Sequence, residues 1–395
     1  MSNPSVTVSA RGAERLRHGH PWIYRSDIKE SSAEPGDLVR VVSERGRPLG
    51  AAFWSSESQI SLRFLGQEEV ADARAERAML ASRIGAAIRF RDTLGIDATA
   101  WRVVNAEADR LPGLIVDLYG QAGERVVVMQ TLTQAMDRRL ELIGEILNEQ
   151  LSPAGILARN DQKVRRLEGL EESVQVLSGD VPPAIEVREG PVNYTVDVRL
   201  GQKTGLFLDQ RENHEAAARY ARGRALDAFT YNGGFALRMA PACASVLALD
   251  SSGPAVAATR ANAERNGATN IDVQEANAFD ALRELEIARE RFDTIVLDPP
   301  AFAKNKASVE RAAAGYKEIN LRALKILTPG GYLMTCTCSY HMQEELFHQV
   351  LEDAASDAHA TVTIVEKRMQ SRDHPVLLNV PETHYLKCFV LRKLA

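Results

Sequence analysis

Two reactive side chains stand toward the C-terminal end of this 395-residue chain, each at the end of an apolar run of strand-forming residues. Asp298 ends FDTIVLD and is followed by Pro299 and Pro300, which stiffen the backbone and remove two amide donors. Cys338 ends GYLMTCTC. A sulfur nucleophile beside a carboxylate could act on a flat heterocycle, the first by adding to a ring carbon and the second by holding a ring nitrogen.

This pair of side chains suits the methylation of a pyrimidine carbon. Carbon 5 of cytosine is too weak a nucleophile to displace a methyl group from a sulfonium, so a thiolate must first add to carbon 6 and create an enamine. The adduct is stabilised if an acid donates to or holds N3. We therefore predict Cys338 as the nucleophile and Asp298 as the group beside the base. The base that removes the carbon 5 proton is not identified.

The other three cysteines are interpreted as buried apolar residues. Cys336 lies on the same strand face as Cys338, but it is farther from the carboxyl end at which a ligand would bind. Cys243 and Cys388 are interpreted as buried because most cysteines in folded proteins are.

A nucleoside cofactor could bind at the strands that precede Asp298 and Cys338 in the sequence. RALDAF runs into TYNGGFAL, whose adjacent glycines allow a tight turn into a helix, and the next strand ends in an acid that could accept hydrogen bonds from both ribose hydroxyls. There is no GxGxxG cradle for a pyrophosphate, so S-adenosylmethionine fits better than a dinucleotide. An ordinary strand-to-helix turn is the alternative. The predicted cofactor contacts in this region are Asp227, Phe229, Tyr231, Gly233, Asp250 and Asn277.

Asn277 follows a third predicted strand, NIDVQEA. Its amide could bind an adenine edge, or it could cap the next helix, and the two roles are compatible.

The elements that would position these residues alternate between strands and helices from about residue 202 onward. Such alternation predicts parallel strands joined by right-handed crossovers, with ligands beyond the carboxyl ends of the strands. Residues 196–395 are therefore predicted to form an α/β domain, a doubly wound Rossmann-like sheet.

The N-terminal half has a different pattern. Residues 1–70 read as a small β-barrel with strands at 5–10, 38–42, 48–53 and 59–65. Residues 71–195 read as a separate central α+β domain, with one helix from about residue 71 and a second over 134–149.

The segment RGAERLRHGHPWIYRSD combines arginines with aromatic residues, a composition that can grip phosphates and stack on bases. Alternatively, the aromatic residues pack in the core and the arginines are only solvated. The RNA-binding candidates are Arg11, Arg15, Arg17, Trp22 and Arg25.

Composition excludes several classes of protein. With 45% hydrophobic and 26% charged residues the chain is typical of globular proteins, and no run of apolar residues is long enough to span a bilayer. The N-terminus lacks the apolar stretch of a secretory signal, and the four cysteines form no CxxC pair, so we expect a cytoplasmic protein without disulfides or a metal. The net charge of −5 means that any nucleic-acid surface is a local patch.

A series of motifs resembles the bacterial large-subunit ribosomal RNA cytosine carbon-5 methyltransferases of type I, over nearly the whole chain. In order, the motifs are HPWIYRSDI, RLPGLIVDLYG, GQKTGLFLDQRENH, FTYNGGFAL, LDPPAFAKNK, GYKEINLRALKILTPGG, TCTCS and HPVLLNVPETHYLK. The resemblance implies an N-terminal PUA-type RNA-binding barrel, a central α+β domain that helps to shape the RNA cleft, and a class I S-adenosylmethionine-dependent methyltransferase domain.

The resemblance also implies a substrate and roles for particular residues. It implies 5-methylcytidine formation in 23S ribosomal RNA, either naked or in a precursor particle, with Cys338 as nucleophile, Asp298 near the base, and Asp250 and Asn277 at the cofactor. GQKTGLFLDQRENH would cover the methionine end of the cofactor through Gln210 or Arg211, unless it is only a connecting hairpin with a helix cap. The sequence leaves the oligomeric state open, with a homodimer as the candidate.

Two features depart from the family pattern. Asn277 stands where relatives often carry Asp, which alters the donors and acceptors offered to adenine. The DPPAF loop contains no cysteine of the kind that some RNA cytosine methyltransferases use for product release, so release must proceed without one.

Two other functions fit parts of the pattern. An exocyclic-amine nucleobase methyltransferase would need only the Asp298 loop, and Cys338 would be incidental. An RNA-binding ribosome-assembly factor would keep the RNA-binding surface while its cofactor pocket had decayed.

Overall fold

The computed structural model describes residues 4–303 and 306–395, so residues 304 and 305 of the LDPPAFAKNK motif lie outside the described residues. The chain divides into two compact units. The N-terminal unit comprises Met1–Arg188, Val196–Leu208 and Asp373–Thr383, and the C-terminal unit comprises Glu189–Thr195, Asp209–Arg372 and His384–Ala395. The domain boundaries near residues 70 and 195 stay a prediction.

The N-terminal unit begins with a six-stranded sheet in the spatial order β2-β6-β5-β4-β1-β3. Its elements are β1 (Ser5–Val8), α1 (Ala10–Arg17), β2 (Trp22–Tyr24), β3 (Ile28–Ser31), β4 (Leu38–Ser43), β5 (Pro48–Trp54) and β6 (Ile60–Gly66). Residues such as Val6, Ile23, Val41 and Leu62 are fully buried in its core.

The sequence reading of the first strand was wrong in its extent. The predicted strand 5–10 ends at Val8, because Ser9 caps α1: its Oγ accepts a hydrogen bond from the backbone N–H of Gly12 at 3.1 Å. Helix α1 and the short strands β2 and β3 were not predicted, since this segment was read only for its charges and aromatic residues.

A second sheet of the N-terminal unit has five strands in the order β11-β10-β9-β8-β7. Its elements are α2 (Ala73–Asp92), β7 (Ala100–Asn105), β8 (Leu114–Tyr119), β9 (Val126–Thr131), α3 (Gln134–Asp137), α4 (Leu140–Leu151), β10 (Gly155–Asn160) and β11 (Ser173–Gly179). Leu80 and Ile84 of α2 pack with Val116, Met129 and Ile146 in one core.

The predicted helix 134–149 is two helices. Arg139, between them, has φ −107° and ψ 14°, outside the helical range. Its buried guanidinium donates to the carbonyl oxygens of Gly36 at 2.7 Å and Ala135 at 2.8 Å, so tertiary hydrogen bonds hold the break.

Two short strands, β12 (Ile185–Glu189) and β13 (Val192–Val196), form a two-stranded sheet and precede the seven-stranded sheet of the C-terminal unit. The strands of that larger sheet and the helices before and between them in the chain are, in order, α5 (Arg211–Tyr220), β14 (Gly223–Ala228), α6 (Gly234–Met239), β15 (Cys243–Asp250), α7 (Gly253–Arg265), β16 (Ile271–Glu275), α8 (Ala278–Ile287), β17 (Phe292–Leu297), α9 (Val309–Ile326), β18 (Leu327–Thr337), α10 (Glu344–Asp357), β19 (Val362–Met369) and β20 (Lys387–Lys393).

The strand order β16-β15-β14-β17-β18-β20-β19 confirms the predicted doubly wound α/β fold. Strands β14 to β18 pair in parallel, whereas β20 pairs antiparallel with both β18 and β19. The chain order reverses between β14 and β17, and ligands bind in the crevice at such a switch point. Buried residues including Leu226, Ile295, Tyr316, Leu333 and Phe347 form the core between this sheet and its helices.

Every helix in residues 4–303 and 306–395 is too short or too polar to cross a membrane.

Candidate active site

The turn that follows β14 has an unusual backbone. Phe229 has φ 70° and Tyr231 has φ 52°, in the left-handed region that residues with a side chain rarely adopt, and Gly233 has φ 89°. Each such non-glycine residue costs roughly 1–3 kcal/mol unless surrounding contacts enforce it. Here the Thr259 hydroxyl donates to the Tyr231 carbonyl at 2.8 Å, and the Asn262 amide donates to the Asn232 carbonyl at 3.0 Å. A strained turn held at a switch point is typical of a ligand site.

Asp227 lies at the base of this turn and is fully buried. Its Oδ2 accepts hydrogen bonds from the Thr230 hydroxyl at 2.6 Å and from the backbone N–H of Ala236 at 2.9 Å. Its Oδ1 is buried and has no hydrogen-bond partner among the described residues. Burial raises the pKa of this carboxyl to about 6, although the two hydrogen bonds oppose the rise. An unsatisfied carboxylate oxygen beside the turn fits a cationic amino group such as that of S-adenosylmethionine.

Asp250 ends β15 next to the same turn. One carboxylate oxygen accepts from the backbone N–H of Tyr231 and the other from that of Ser252, both at 2.9 Å. These hydrogen bonds fix the carboxylate and leave further lone pairs, and the residue is half-buried, so it suits two ribose hydroxyls.

Asn277 is exposed, and its Oδ1 accepts from the backbone N–H of Phe279 at 2.9 Å at the start of α8. The capping role considered from the sequence is therefore confirmed. Its contact with adenine stays a prediction, and the capping bond leaves its amide nitrogen available for that contact.

Gln210 connects the segment before α5 to the predicted base-binding loop. Its side-chain nitrogen donates to Asp298 Oδ1 at 2.9 Å, and its oxygen accepts from the Asn213 amide at 2.7 Å. Asp298 is half-buried, and this bond orients one of its oxygens. Gln210 and Arg211 are both buried where α5 begins. The predicted contact of Gln210 or Arg211 with the cofactor stays a prediction.

Cys338 comes directly after β18 and is half-buried. Its Sγ lies 4.0 Å from the carbonyl oxygen of Pro299, the residue that follows Asp298. The structure therefore brings together the thiol and the Asp-Pro-Pro loop that the sequence placed at neighbouring strand ends.

The remaining cysteines are buried, which confirms their interpretation as apolar residues. Cys336 and Cys388 lie opposite each other in the β18–β20 register. Burial raises the pKa of the Cys336 thiol well above its usual value and that of Cys243 to about 11, so both stay protonated at neutral pH.

A hydrogen-bonded cluster that the sequence did not reveal fixes the backbone on both sides of Cys338. The Thr337 hydroxyl donates to Tyr316 Oη at 2.8 Å, and Tyr316 Oη shares a hydrogen bond of 3.1 Å with Ser339 Oγ. Ser339 Oγ also accepts from the backbone N–H of Ala303 at 3.2 Å. Thr337 and Ser339 point away from the Cys338 face in strand alternation, and this alternation was the available signal.

The predicted RNA-binding arginines have partners within the N-terminal unit. Arg11 Nε lies 2.7 Å from an oxygen of the buried Asp27, and Arg25 donates to the carbonyl oxygens of Ser56 and Ser58. Arg17 forms an ion pair with Glu14 at 2.7 Å, and the guanidinium of Arg15 lies 4.6 Å from the centre of the Tyr24 ring. Trp22 Nε1 donates a hydrogen bond to Glu107 at 3.2 Å. The RNA-binding role of these residues stays a prediction.

A groove of about 940 Å³ in the same unit collects arginines from separate elements. Its basic lining residues are Arg17 of α1, Arg40 of β4, and Arg45 and Arg47 of the β4–β5 turn, with Glu44 and Glu69 also present. Sequence reasoning treated ERGRP only as a turn and therefore missed Arg45 and Arg47. Neither has an ion-pair partner in the part of the chain that the structure describes.

No group of three or more His, Cys, Asp or Glu side chains in residues 4–303 and 306–395 is arranged to hold a metal ion.

Comparisons with known proteins find two families along the chain. A PUA-like domain model matches residues 6–67, and an S-adenosylmethionine-dependent methyltransferase model matches residues 129–392. Among curated relatives, "Ribosomal RNA large subunit methyltransferase I" of Erwinia tasmaniensis is 36% identical, covering 98% of this chain and 98% of the relative. The protein of the same name from Pseudoalteromonas atlantica is 38% identical, covering 98% and 99%.

Solved structures share the fold. A methyltransferase crystallised in complex with SAH superposes with a TM-score of 0.85 at 20% identity, covering 98% of this chain and 99% of that one. A SAM-dependent methyltransferase from Streptococcus mutans gives a TM-score of 0.83 at 19% identity, covering 98% and 99%.

Proposed function

Because this chain belongs to the S-adenosylmethionine-dependent methyltransferase family that includes the ribosomal RNA large subunit methyltransferases I, we propose that it forms 5-methylcytidine in 23S ribosomal RNA. S-adenosylmethionine supplies the electrophilic methyl group when it is bound. The observation that carries the choice of carbon 5 is the half-buried Cys338 thiol, 4.0 Å from the carbonyl oxygen of Pro299.

The cofactor end of the site rests on the turn after β14. Asp227 would bind the amino group of the cofactor through its unsatisfied Oδ1, and Asp250 would bind the ribose hydroxyls. The left-handed Phe229 and Tyr231 would shape the floor of this pocket.

The base end of the site lies at the carboxyl ends of β17 and β18. The Cys338 thiolate adds to carbon 6 of cytosine, while Asp298, oriented by Gln210 and protonated, donates its proton toward N3 as negative charge develops there. Carbon 5, now part of an enamine, takes the methyl group. Loss of the carbon 5 proton to a base then lets the sulfur leave, restoring the aromatic ring and the free thiol.

The RNA partner would be 23S ribosomal RNA or a precursor particle that contains it, in keeping with the names of the relatives. The PUA-like domain offers two basic surfaces, the predicted Arg11 to Arg25 segment and the groove with Arg45 and Arg47. We further propose a cytoplasmic location, because none of the four cysteines is in a disulfide in the described structure. A homodimer stays a prediction.

The decisive experiment replaces the nucleophile. In Cys338→Ala, formation of 5-methylcytidine should fall by at least about a thousandfold, because no other route makes carbon 5 nucleophilic. Nucleosides of ribosomal RNA from a deletion strain complemented with each variant would be quantified by mass spectrometry. The matched control Cys243→Ala removes a buried thiol of β15 and should retain wild-type activity.

An exocyclic-amine methyltransferase is the second candidate, favoured by the Pro299 carbonyl, an acceptor beside Asp298 that suits an amino group. It would keep most of its activity in Cys338→Ala and give an N-methylated product. Calorimetry with S-adenosylmethionine tests the RNA-binding assembly factor, since that protein would show no saturable binding.

A further inference from the structure

A chain of side-chain hydrogen bonds ends at Asp298. Arg368 of β19 donates through Nε to Asn213 Oδ1 at 2.9 Å. Asn213 Nδ2 donates to Gln210 Oε1 at 2.7 Å, and Gln210 Nε2 donates to Asp298 Oδ1 at 2.9 Å. All four residues belong to the C-terminal unit. The chain therefore connects the loop of the proposed base site to β19, the strand at one edge of the seven-stranded sheet.

Arg368 sets the direction of every hydrogen bond in this chain. A guanidinium contains only donors, so the Asn213 atom that faces it must be the amide oxygen. The Asn213 nitrogen then faces Gln210, which must turn its own oxygen toward that nitrogen and its nitrogen toward Asp298. The carbonyl oxygen of Met369 lies 3.3 Å from Asn213 Nδ2 and can only accept, so it requires the same orientation.

Other contacts hold the beginning of the chain in place. Arg368 Nη2 donates to the carbonyl oxygen of Glu212 at 3.1 Å, and Nη1 donates to a carboxylate oxygen of Glu366 at 3.2 Å. Asn213 is fully buried and Gln210 is 3% exposed, so water does not compete for their amide groups. Reversing Gln210 alone would set its nitrogen against the Asn213 nitrogen and leave buried donors unsatisfied, which is costly.

The last hydrogen bond determines how Asp298 can carry a proton. Because Gln210 donates to Oδ1, that oxygen is an acceptor, whatever other contacts the carboxyl group makes. In a protonated carboxyl group the N–H donor pairs with the carbonyl oxygen, and the hydroxyl is the other oxygen. A proton on Asp298 therefore belongs on Oδ2. N3 of cytosine carries a lone pair and requires such a donor.

We propose that Arg368, Asn213 and Gln210 are positioning residues that keep the proton of Asp298 on Oδ2, from which it is donated to N3 of cytosine. The inference rests on the proposed formation of 5-methylcytidine. As the sulfur adds to carbon 6, the Oδ2–H bond breaks, an N3–H bond forms, and the carboxyl group becomes a carboxylate. The proton returns to Oδ2 when the sulfur leaves and the aromatic ring is restored.

Asn213→Asp reverses the chain with almost no change in shape. Both oxygens of the new carboxylate accept, so Arg368 stays paired, but Gln210 must turn its nitrogen toward that carboxylate and its oxygen toward Asp298. The proton of Asp298 then has to lie on Oδ1, where it is bonded to Gln210. The kcat for 5-methylcytidine formation should fall by at least about tenfold, because general acid assistance is lost. The KM for S-adenosylmethionine should be unchanged.

Two more variants separate direction from folding. Gln210→Glu removes the amide donor itself and should lower kcat at least as much as Asn213→Asp. Asn270→Asp is the matched control, because it makes the same change at an amide that donates to the carbonyl oxygens of Ala240 and Cys243, both at 2.9 Å. It should retain the wild-type kcat. Thermal unfolding shows whether each variant is folded.

Neutron diffraction from crystals of the deuterated protein shows the direction of the chain without RNA and without turnover. In the wild type, a deuterium atom on Gln210 Nε2 should lie between that nitrogen and Asp298 Oδ1. In Asn213→Asp, the deuterium atoms of Gln210 should instead point toward residue 213, and the Gln210 oxygen should face Asp298.

The outcomes are distinct. A wild-type Gln210 oxygen facing Asp298, or a Gln210 amide that keeps its direction in Asn213→Asp, would overturn the inference. An unchanged kcat in Asn213→Asp would overturn it too, and if that variant does not fold, an unchanged kcat in Gln210→Glu would do so. The expected orientations together with no 5-methylcytidine formation by the wild type would instead overturn the proposed function and leave the direction of the chain intact.

Discussion

Asp227 is a buried carboxyl group whose negative charge suits a cationic ligand but lowers the stability of the folded protein when no ligand is bound. Its pKa rises from 3.8 to about 6 in the folded protein, chiefly because burial disfavours the charged form. The folded state therefore holds this proton more tightly than the unfolded chain does. The contribution of this bound proton to the free energy of unfolding is complete below about pH 4 and is lost as the pH rises to about 6. The free energy of unfolding changes by about 3 kcal/mol over this range.

Asp227→Asn should remove this pH-dependent loss of stability, because the amide stays neutral. Its oxygen can still accept hydrogen bonds from Thr230 and Ala236. Without cofactor, the stability of the variant relative to wild type should grow from pH 4 to pH 6 and stay level from pH 6 to pH 8. Chemical denaturation at each pH measures this difference. Parallel curves for the two proteins would contradict the assignment.

The same substitution should weaken cofactor binding, because the unsatisfied Oδ1 becomes an N–H donor that cannot accept from an ammonium group. The dissociation constant for S-adenosylmethionine should rise by at least about tenfold, consistent with the loss of one hydrogen bond to a charged group. Titration calorimetry gives this constant directly. Thr294→Ser on β17, a buried polar position away from the turn, serves as the control.

At the scale of elements, the β4–β5 turn is a better candidate for phosphate binding than the aromatic-rich segment. Arg11 and Arg25 are occupied by Asp27 and by carbonyl oxygens, whereas Arg45 and Arg47 line an open groove. Arginines without an internal partner lose less when they bind a phosphate.

The double variant Arg45→Ala, Arg47→Ala should therefore weaken RNA binding. It should also reduce the slope of log Kd against log salt concentration by roughly one to two, since each phosphate contact releases counterions. Fluorescence anisotropy with a labelled ribosomal RNA fragment at several salt concentrations measures both quantities. The control Arg74→Ala changes an exposed arginine of α2. An unaltered salt dependence in the double variant would exclude the groove.

The elements differ in how well the sequence predicts them. The strands from β14 to β18 follow from apolar runs that alternate with helical patterns, and strand ends in a parallel sheet share one edge, so Asp298 and Cys338 were placed correctly at neighbouring strand ends. Helix α1 was missed because its cap, Ser9, was read as part of a strand. The break in the helix at Arg139 depends in part on a hydrogen bond to the carbonyl oxygen of Gly36, more than 100 residues earlier in the chain. A local sequence pattern carries no information about such a distant contact.

The neighbours of Cys338 show the same limit. Alternation predicts which face the sulfur is on, but Tyr316 comes from α9 and Lys387 from the last strand of the sheet. Only the antiparallel return of β20 beside β18 places that lysine opposite Thr337, the residue before Cys338. Long-range register of this kind is not encoded in any short window of sequence.

At the scale of the whole molecule, the residues proposed to bind the cofactor and the proposed nucleophile all lie in the C-terminal unit. Binding of S-adenosylmethionine to the native state should therefore stabilise that unit by about 2.7 kcal/mol at a free concentration one hundred times its Kd.

Hydrogen exchange followed by mass spectrometry would show where this effect falls. Amides of residues 227–237 and 249–253, around the turn after β14 and the end of β15, should gain the most protection when S-adenosylmethionine is added. The sheet of β1 to β6 should exchange as before. Protection spread evenly over both units, or confined to the N-terminal one, would count against the cofactor site.

The position of β20 in the seven-stranded sheet also bears on how this protein is made. In space β20 lies between β18 and β19, yet it is synthesised after both of them. Until β20 has been synthesised, β18 and β19 both lack their common antiparallel partner, and the sheet has a gap between them. The seven-stranded sheet can therefore close only after β19 has been made, when β20 inserts between two strands that are already present.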